Sequence, residues 1–141
     1  MIWATRPGIH VDRAATAWLI TTRLDPAAEF VYIDDVDDVP AGATPFDMVG
    51  VELSHRGDDV TFETVMRDHD LTDPVLERLA EIVHQADVED DRFDAPEAAG
   101  LDAIVRGLTL LHGDDEAVRP ITNQIFDGLY RLLTREAIGR R

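Results

Sequence analysis

A chain of 141 residues with 45% hydrophobic side chains is enough for one buried core and matches the size of a single domain. Its 29 acidic residues against 13 basic ones leave a formal charge of -16, a field that repels nucleic acid and anionic membrane from most of the surface. Cysteine is absent, which excludes disulfides, thiolate nucleophiles and Cys-based zinc sites and leaves His, Asp, Glu or carbonyl oxygen as the ligands for any metal.

Residues 2–5 predict a short strand closed by Pro7-Gly8, and Ala14, Ala15, Ala17, Trp18 and Leu24 recur at near-helical spacing over 11–24. The β-branched and aromatic run Phe30-Val31-Tyr32-Ile33 predicts a second strand, parallel to the first if the two pair through this crossover. Asp34-Asp35-Val36-Asp37-Asp38 lacks the glycine and distal glutamate of an EF-hand and reads as a solvated loop. A third strand is expected at Met48 to Glu52, followed by a polar turn over 54–59.

From residue 61 the period turns helical, with Phe62, Val65, Met66 and His69 on one face. Asp73-Pro74 supplies an N-cap and a first-turn proline for a helix over 74–87 that buries Leu76, Leu79, Ala80 and Val83. The next helix opens at Pro96 with Leu101, Ile104, Val105 and Leu108 expected inside, and the last carries Ile121, Ile125, Leu129 and Leu132, opening within a turn of Pro120. The fold class is α+β, mostly α: a small βαβ-type sheet of about three strands packed with about five helices in a single domain, 1–141. Neither a signal peptide nor a run of ~18 apolar residues is visible, so a cytoplasmic protein without membrane or nucleic-acid partners is expected.

All 13 basic residues are arginine and 20 of the acids are aspartate, a composition expected of a salt-tolerant surface or of a GC-rich genome. Four places stand apart from it. Arg6-Pro7-Gly8-Ile9-His10-Val11-Asp12-Arg13 sets an imidazole, a carboxylate and two guanidinium groups between a strand and a helix, where ligands and anions collect. Asp12 as a helix cap and His10 as a turn residue are the competing structural roles. Glu52 and His55 place a carboxylate and an imidazole at a strand-to-turn junction, a pair suited to zinc, manganese or iron(II). His84 and Asp87 share one face of the helix over 74–87, as two ligands or as a ligand with its orienting partner; a histidine favoured by the dipole at the helix C-terminus is the competing role. Glu63, beside Arg67 and Asp70, reads as a solvent-facing ion pair, and Glu97 as a first-turn carboxylate. Asp127 and Tyr130 share a face, where the phenol suits a buried hydrogen bond. No GxGxxG, Walker, GxSxG or HExxH motif occurs, which leaves a dispersed site.

Four segments, T-R-P-x-x-H-V-D-R-x-A-x-x-W-L-I at 5–20, F-D-M-V-G-V-E-L-S-H at 46–55, T-F-E at 61–63 and E-A-A-G-L at 97–101, resemble the C-terminal domain of the chromate-resistance protein ChrB. D-P-x-L-x-x-L-A-x-I-V at 73–83 and D-G-L-Y at 127–130 extend the resemblance in order to about residue 132. It implies a place among proteins associated with chromate-resistance operons and described as chromate-responsive regulators, here as a stand-alone form of the domain. Family relatives often carry Cys where this sequence has Thr16 and Val60, so a thiol mechanism does not carry over. The matching positions with ligand chemistry are His10, Asp12, Arg13, Glu52, His55, Glu63, Asp87 and Glu97.

From these residues a divalent metal ion is expected on His10, Glu52 and His55, with Asp87 or Glu63 completing the set and Asp12, His84 and Glu97 as orienting partners. Arg6 or Arg13 would hold a small oxyanion such as chromate. Two function classes follow: an enzyme that uses the metal's open coordination positions, and a non-enzymatic oxyanion sensor or interaction module in which the same polar set stabilises the turns.

Overall fold

Trp3, Ala4 and Thr5 are all buried on a strand of four residues, β1 (Ile2–Thr5), as expected of a strand covered on both faces. The computed structural model describes residues 1–139 and places β1 in the middle of a three-stranded sheet of order β2-β1-β3. β2 (Glu29–Tyr32) pairs with it in parallel, as the crossover implies, with Trp3 opposite Phe30. β3 (Thr44–Pro45) is parallel to its other edge.

The third strand therefore lies ahead of the expected 48–52. Pro45 has no N–H for the ladder and suits only an edge. Beyond Phe46, whose N–H bonds Ala4 O at 2.9 Å, Asp47 takes φ 53° and Gly50 φ 89°. These left-handed residues turn the chain back, and Asp47 N–H meets Leu53 O at 2.7 Å.

The helix after β1, α1 (Val11–Leu19), is buried along its whole length. Its alanines admit close neighbours, and it touches all four later helices: α2 (Thr61–Asp68), α3 (Pro74–Val88), α4 (Ala98–His112) and α5 (Asp115–Ile138). At Ile20–Leu24 α1 passes into a π-helical turn. Here the Thr21 and Thr22 hydroxyls return to the carbonyls of Ala17 and Trp18 at 3.0 and 2.8 Å, a side-chain competition that loosens a helix end. Trp18, Phe62, Leu79, Val83, Val105, Val118 and Phe126 form the main core, and Trp3, Ile20, Phe30 and Phe46 a smaller one under the sheet.

The expected helices are present with α3 capped by Asp73, which accepts from Val75 N–H at 2.8 Å. Two positions differ from expectation: Ile104 is 55% and Leu132 52% exposed. The stripe that α4 buries is Ala98, Leu101 and Val105, and Ile104 falls outside it because one residue turns a helix by about 100°. α5 also starts earlier than expected, under an Asp114 cap that accepts from Glu116 N–H at 3.1 Å. Pro120 consequently sits inside the helix, on its exposed side, beyond the first turn where proline is free of cost. Replacing it by alanine restores one backbone bond and loses some rigidity of the unfolded chain. Pro120→Ala is expected to stabilise the protein by about 1–2 kcal/mol, read as a higher midpoint of thermal unfolding; an unchanged or lower midpoint means that α5 has already relaxed around the ring.

Candidate metal centre

Three segments reach the carboxyl end of the sheet together. The loop after β1 delivers His10 to the start of α1, the turn after β3 delivers Asp47, and the turn before α2 delivers His55. This edge of a parallel sheet is where ligands are commonly bound. The β1–α1 loop is held from the far end of the sequence: the Asp115 carboxylate accepts from Gly8 and Ile9 N–H at 3.1 and 3.0 Å, and Thr109 Oγ1 donates to Ile9 O at 2.6 Å. Arg13 ties it from below, donating to Gly8 O at 2.7 Å.

Asp12 does cap a helix, but not its own. The N-cap of α2 is Val60, which has no acceptor to offer. Asp12 supplies it from α1: Oδ2 accepts from Thr61 N–H at 2.9 Å and Oδ1 from Phe62 N–H at 3.0 Å. The positive end of α2 thus receives a fully buried carboxylate.

Around that carboxylate the site closes. His55 Nε2 lies 3.1 Å from Asp12 Oδ2 and 3.2 Å from Asp87 Oδ2. Ligand atoms of Asp12, His55 and Asp87 all lie within 4.8 Å of one another, close enough to share one cation. The other oxygen of Asp87 is 3.3 Å from His10 Nδ1, and His10 Nε2 is 3.1 Å from Asp47 Oδ2. Asp47 Oδ1 accepts from the Thr61 hydroxyl at 2.8 Å. Asp47 Oδ2 is buried between two cationic groups, His10 Nε2 at 3.1 Å and Arg13 Nε at 2.9 Å, the latter an ion pair with its N–H out of line.

Carboxylates only accept, so an imidazole nitrogen facing one must donate. Both nitrogens of His10 face carboxylates, and its ring is an imidazolium. Burial pulls the His10 pKa down, but the hydrogen bonds to Asp47 and Asp87 outweigh it and push it up to about 9. His55 is raised above its ordinary value chiefly by the hydrogen bond to Asp12. Burial pushes the Asp12 carboxyl up, opposed by that same bond. Asp47 is lowered; its burial works against this, and His10 and Arg13 prevail.

The expected ligand set is thus partly assembled. His55 and Asp87 converge with Asp12, whereas His10, Glu52 and Glu63 stand outside the cation group formed among the described residues, His10 touching it only through Asp87 at 3.3 Å. Glu52 is exposed beside Arg56, to which its carbonyl is bonded at 2.9 Å. Glu97 meets Arg78 at 3.4 Å. Arg13 is spent on Asp47 and loop carbonyls, and Arg6 is exposed. Tyr130 does find its buried-side partner, donating to Asp73 at 2.5 Å, while Asp127 accepts from Trp18 Nε1 at 2.8 Å.

Glu63 has a different neighbour from the expected solvent pair. Its Oε1 accepts from Val60 N–H at 2.9 Å and stands 2.6 Å from His84 Nδ1, while His84 Nε2 is 2.9 Å from Asp90. His84 is fully buried and, by the same donor argument, an imidazolium. Burial lowers its pKa, and the two carboxylates raise it above the ordinary value overall. Its contribution to stability is therefore complete below about pH 6.5 and lost as pH rises through the higher folded value. Thermal unfolding of the protein is expected to show this decline above neutrality, and His84→Gln to flatten it; the same decline in the variant rejects the assignment.

The residues absent from the sequence reading are Asp47, Thr61, Asp90 and Asp115. Asp47 and Thr61 carried a signal, their places in the F-D-M and T-F-E segments.

The family model described as ChrB, C-terminal domain, matches residues 3–133. Protein ChrB of Cupriavidus metallidurans is 36% identical over 129 residues, covering 91% of this chain and 39% of that protein. No solved structure matches the chain significantly.

Proposed function

The chain belongs to the ChrB C-terminal domain family, and from that premise we propose that it serves chromate resistance by holding one divalent cation between Asp12, His55 and Asp87. The observation that carries this reading is the convergence of two carboxylates and an imidazole within 4.8 Å. Asp47, buried on the flank of the trio and met by His10 at 3.1 Å and Arg13 at 2.9 Å, adds a further carboxylate to the cluster. Oxygen and nitrogen donors without sulfur suit zinc, manganese or iron(II).

Charge supports the same reading. Asp12, Asp47 and Asp87 oppose Arg13 alone, and the protons on His10 and His55 make up the difference. A divalent cation brings two charges and displaces the proton on His55, while His10 keeps its own between Asp47 and Asp87. The His55 N–H already points between the Asp12 and Asp87 oxygens, where a cation would sit. His10, held by Asp47 and Asp87, fixes the orientation of the Asp87 carboxylate.

When bound, the metal supplies Lewis acidity and a positive anchor for an oxyanion. The three carboxylates repel a dianion such as chromate, and Arg13 is already engaged, so oxyanion binding at this edge depends on the cation. Metal content of untagged protein, measured for the wild type, His55→Ala and Asp87→Asn, tests the reading. One equivalent in the wild type, reduced in both variants, supports it; no metal in any sample, or equal metal in all three, removes it.

A further inference from the structure

α2 and α3 are joined by a short turn over 69–73, and between them the chain leaves a cleft of about 540 Å³, within the roughly 300–1,000 Å³ that small-molecule sites occupy. Met66 from α2 and Ala80 from α3 form its floor and are 7% and 6% exposed; Leu71 and Phe93 complete the apolar lining. One end is shut, because Glu63 stands 2.6 Å from His84 and the His84 ring meets Phe93 edge-on at 5.0 Å between centroids. The rim carries charge of one sign. Asp70 follows the last turn of α2 and Glu77 lies in the first turn of α3, both exposed, and neither carboxylate has a hydrogen bond or ion pair among the described residues.

Asp70 holds its place at a cost. Leu71 N–H returns to Met66 O at 2.9 Å and Asp70 N–H to Arg67 O at 3.3 Å, a helix ending that ordinarily sets glycine at the left-handed position; Asp70 occupies it with φ 52°. Its carboxylate also stands at the negative end of the α2 dipole. Glycine or asparagine would serve the turn better, so the fold supplies no reason for the charge. No cation of the chain answers it: the cleft's one basic residue, Arg67, is bound by Asp59.

We propose that the α2–α3 cleft binds a small organic cation, a primary ammonium on an aliphatic body, with the ammonium at Asp70 and Glu77 and the body against Met66, Leu71, Ala80 and Phe93. An inorganic cation needs several donors drawn together, and among the described residues the group that offers them is Asp12, His55 and Asp87, which does not line this cleft. An anion would meet Glu63, Asp70 and Glu77 while Arg67 is already engaged. A neutral apolar ligand would use the floor and leave the rim carboxylates unanswered. An aliphatic ammonium uses both, and the flexible thioether of Met66 adapts the floor to its body. Its head lies at exposed carboxylates, so salt weakens the contact.

Titration of the isotope-labelled full chain with hexylammonium, hexanol and hexanoate at low salt, followed by amide NMR shifts, tests this. Hexylammonium is expected to give saturating shifts concentrated at Met66, Leu71, Ala80 and Phe93, with an affinity about tenfold above that of hexanol, and hexanoate to give none. The paired substitution Asp70→Asn with Glu77→Gln changes two exposed side chains, and asparagine tolerates the left-handed position. It is expected to bring hexylammonium down about tenfold, to the level of hexanol, with a thermal midpoint close to that of the wild type. No saturating shift at the cleft, shifts spread evenly over the acidic surface, or hexanol or hexanoate binding as tightly as hexylammonium each overturns the proposal, and so does full hexylammonium affinity in the doubly substituted chain. Should that chain not fold, the comparison of the three ligands on the wild type decides alone.

Discussion

Asp12→Ala is expected to cost about 3–5 kcal/mol of folding free energy and to lower the thermal midpoint by roughly 10 °C or more. The carboxylate has no exposure and takes two backbone N–H groups at the start of α2 as well as the His55 ring. Its removal leaves both buried donors unsatisfied, at about 1–3 kcal/mol each, and opens space in the tightly packed surface of α1. Against a total stability of about 5–15 kcal/mol for a small domain, the loss is large. Asp12→Asn separates the hydrogen bonds from the charge. One amide oxygen still accepts, and the cost of burying a carboxylate, which is what raises the Asp12 pKa, is removed. Its midpoint should lie between those of wild type and alanine variant. An Asp12→Ala protein that melts within a degree or two of wild type would show that α2 is capped by other means.

Cation affinity is expected to rise about tenfold per pH unit between pH 6 and the folded pKa of His55, and then to level off. The sign follows from competition. A ligating imidazole must be neutral, and the hydrogen bond to Asp12 raises the His55 pKa above its ordinary value, so near pH 6 a proton occupies the place of the metal bond. Each titration therefore releases about one proton from His55, while His10, held at about 9, keeps its own. Calorimetry with zinc or manganese in buffers of different ionisation enthalpy measures the protons directly. His55→Ala is expected to lower the affinity by ~100-fold or more and to abolish most of the slope. A pH-independent affinity in the wild type would mean that His55 is not a ligand.

Local chemistry made much of the fold legible. Pro7-Gly8 marks the end of β1, the β-branched run at 30–33 marks β2, and Asp73-Pro74 opens α3 where expected. β3 was hidden because its two residues include a proline and because strand-like composition at 48–52 is overruled by the left-handed residues Asp47 and Gly50. In the site, His10, His55 and Asp87 stood out as imidazoles and carboxylates at element ends, but their meeting depends on the packing of α1, α2 and α3, which no spacing reports. Glu52 was drawn in by standing three residues before His55, a spacing that implies a shared face only on a helix. Glu63 stands beside Arg67 on its own helix, but its partner lies 21 residues on, at His84. Asp47 was one of 20 aspartates, marked only by its place in the F-D-M segment.

The bond from Gly8 to Asp115 joins residues 107 apart in sequence. During synthesis, β1 and the His10 loop leave the ribosome long before the carboxylate that clamps them. The centre consequently matures only when α5 is made, and a nascent chain stopped within α4 would already display His10, Asp12, His55 and Asp87 without the means to hold them in register. Non-local closure of this kind slows folding, and it would place the proposed cation capture after the last helix has docked rather than at the start of the chain's life.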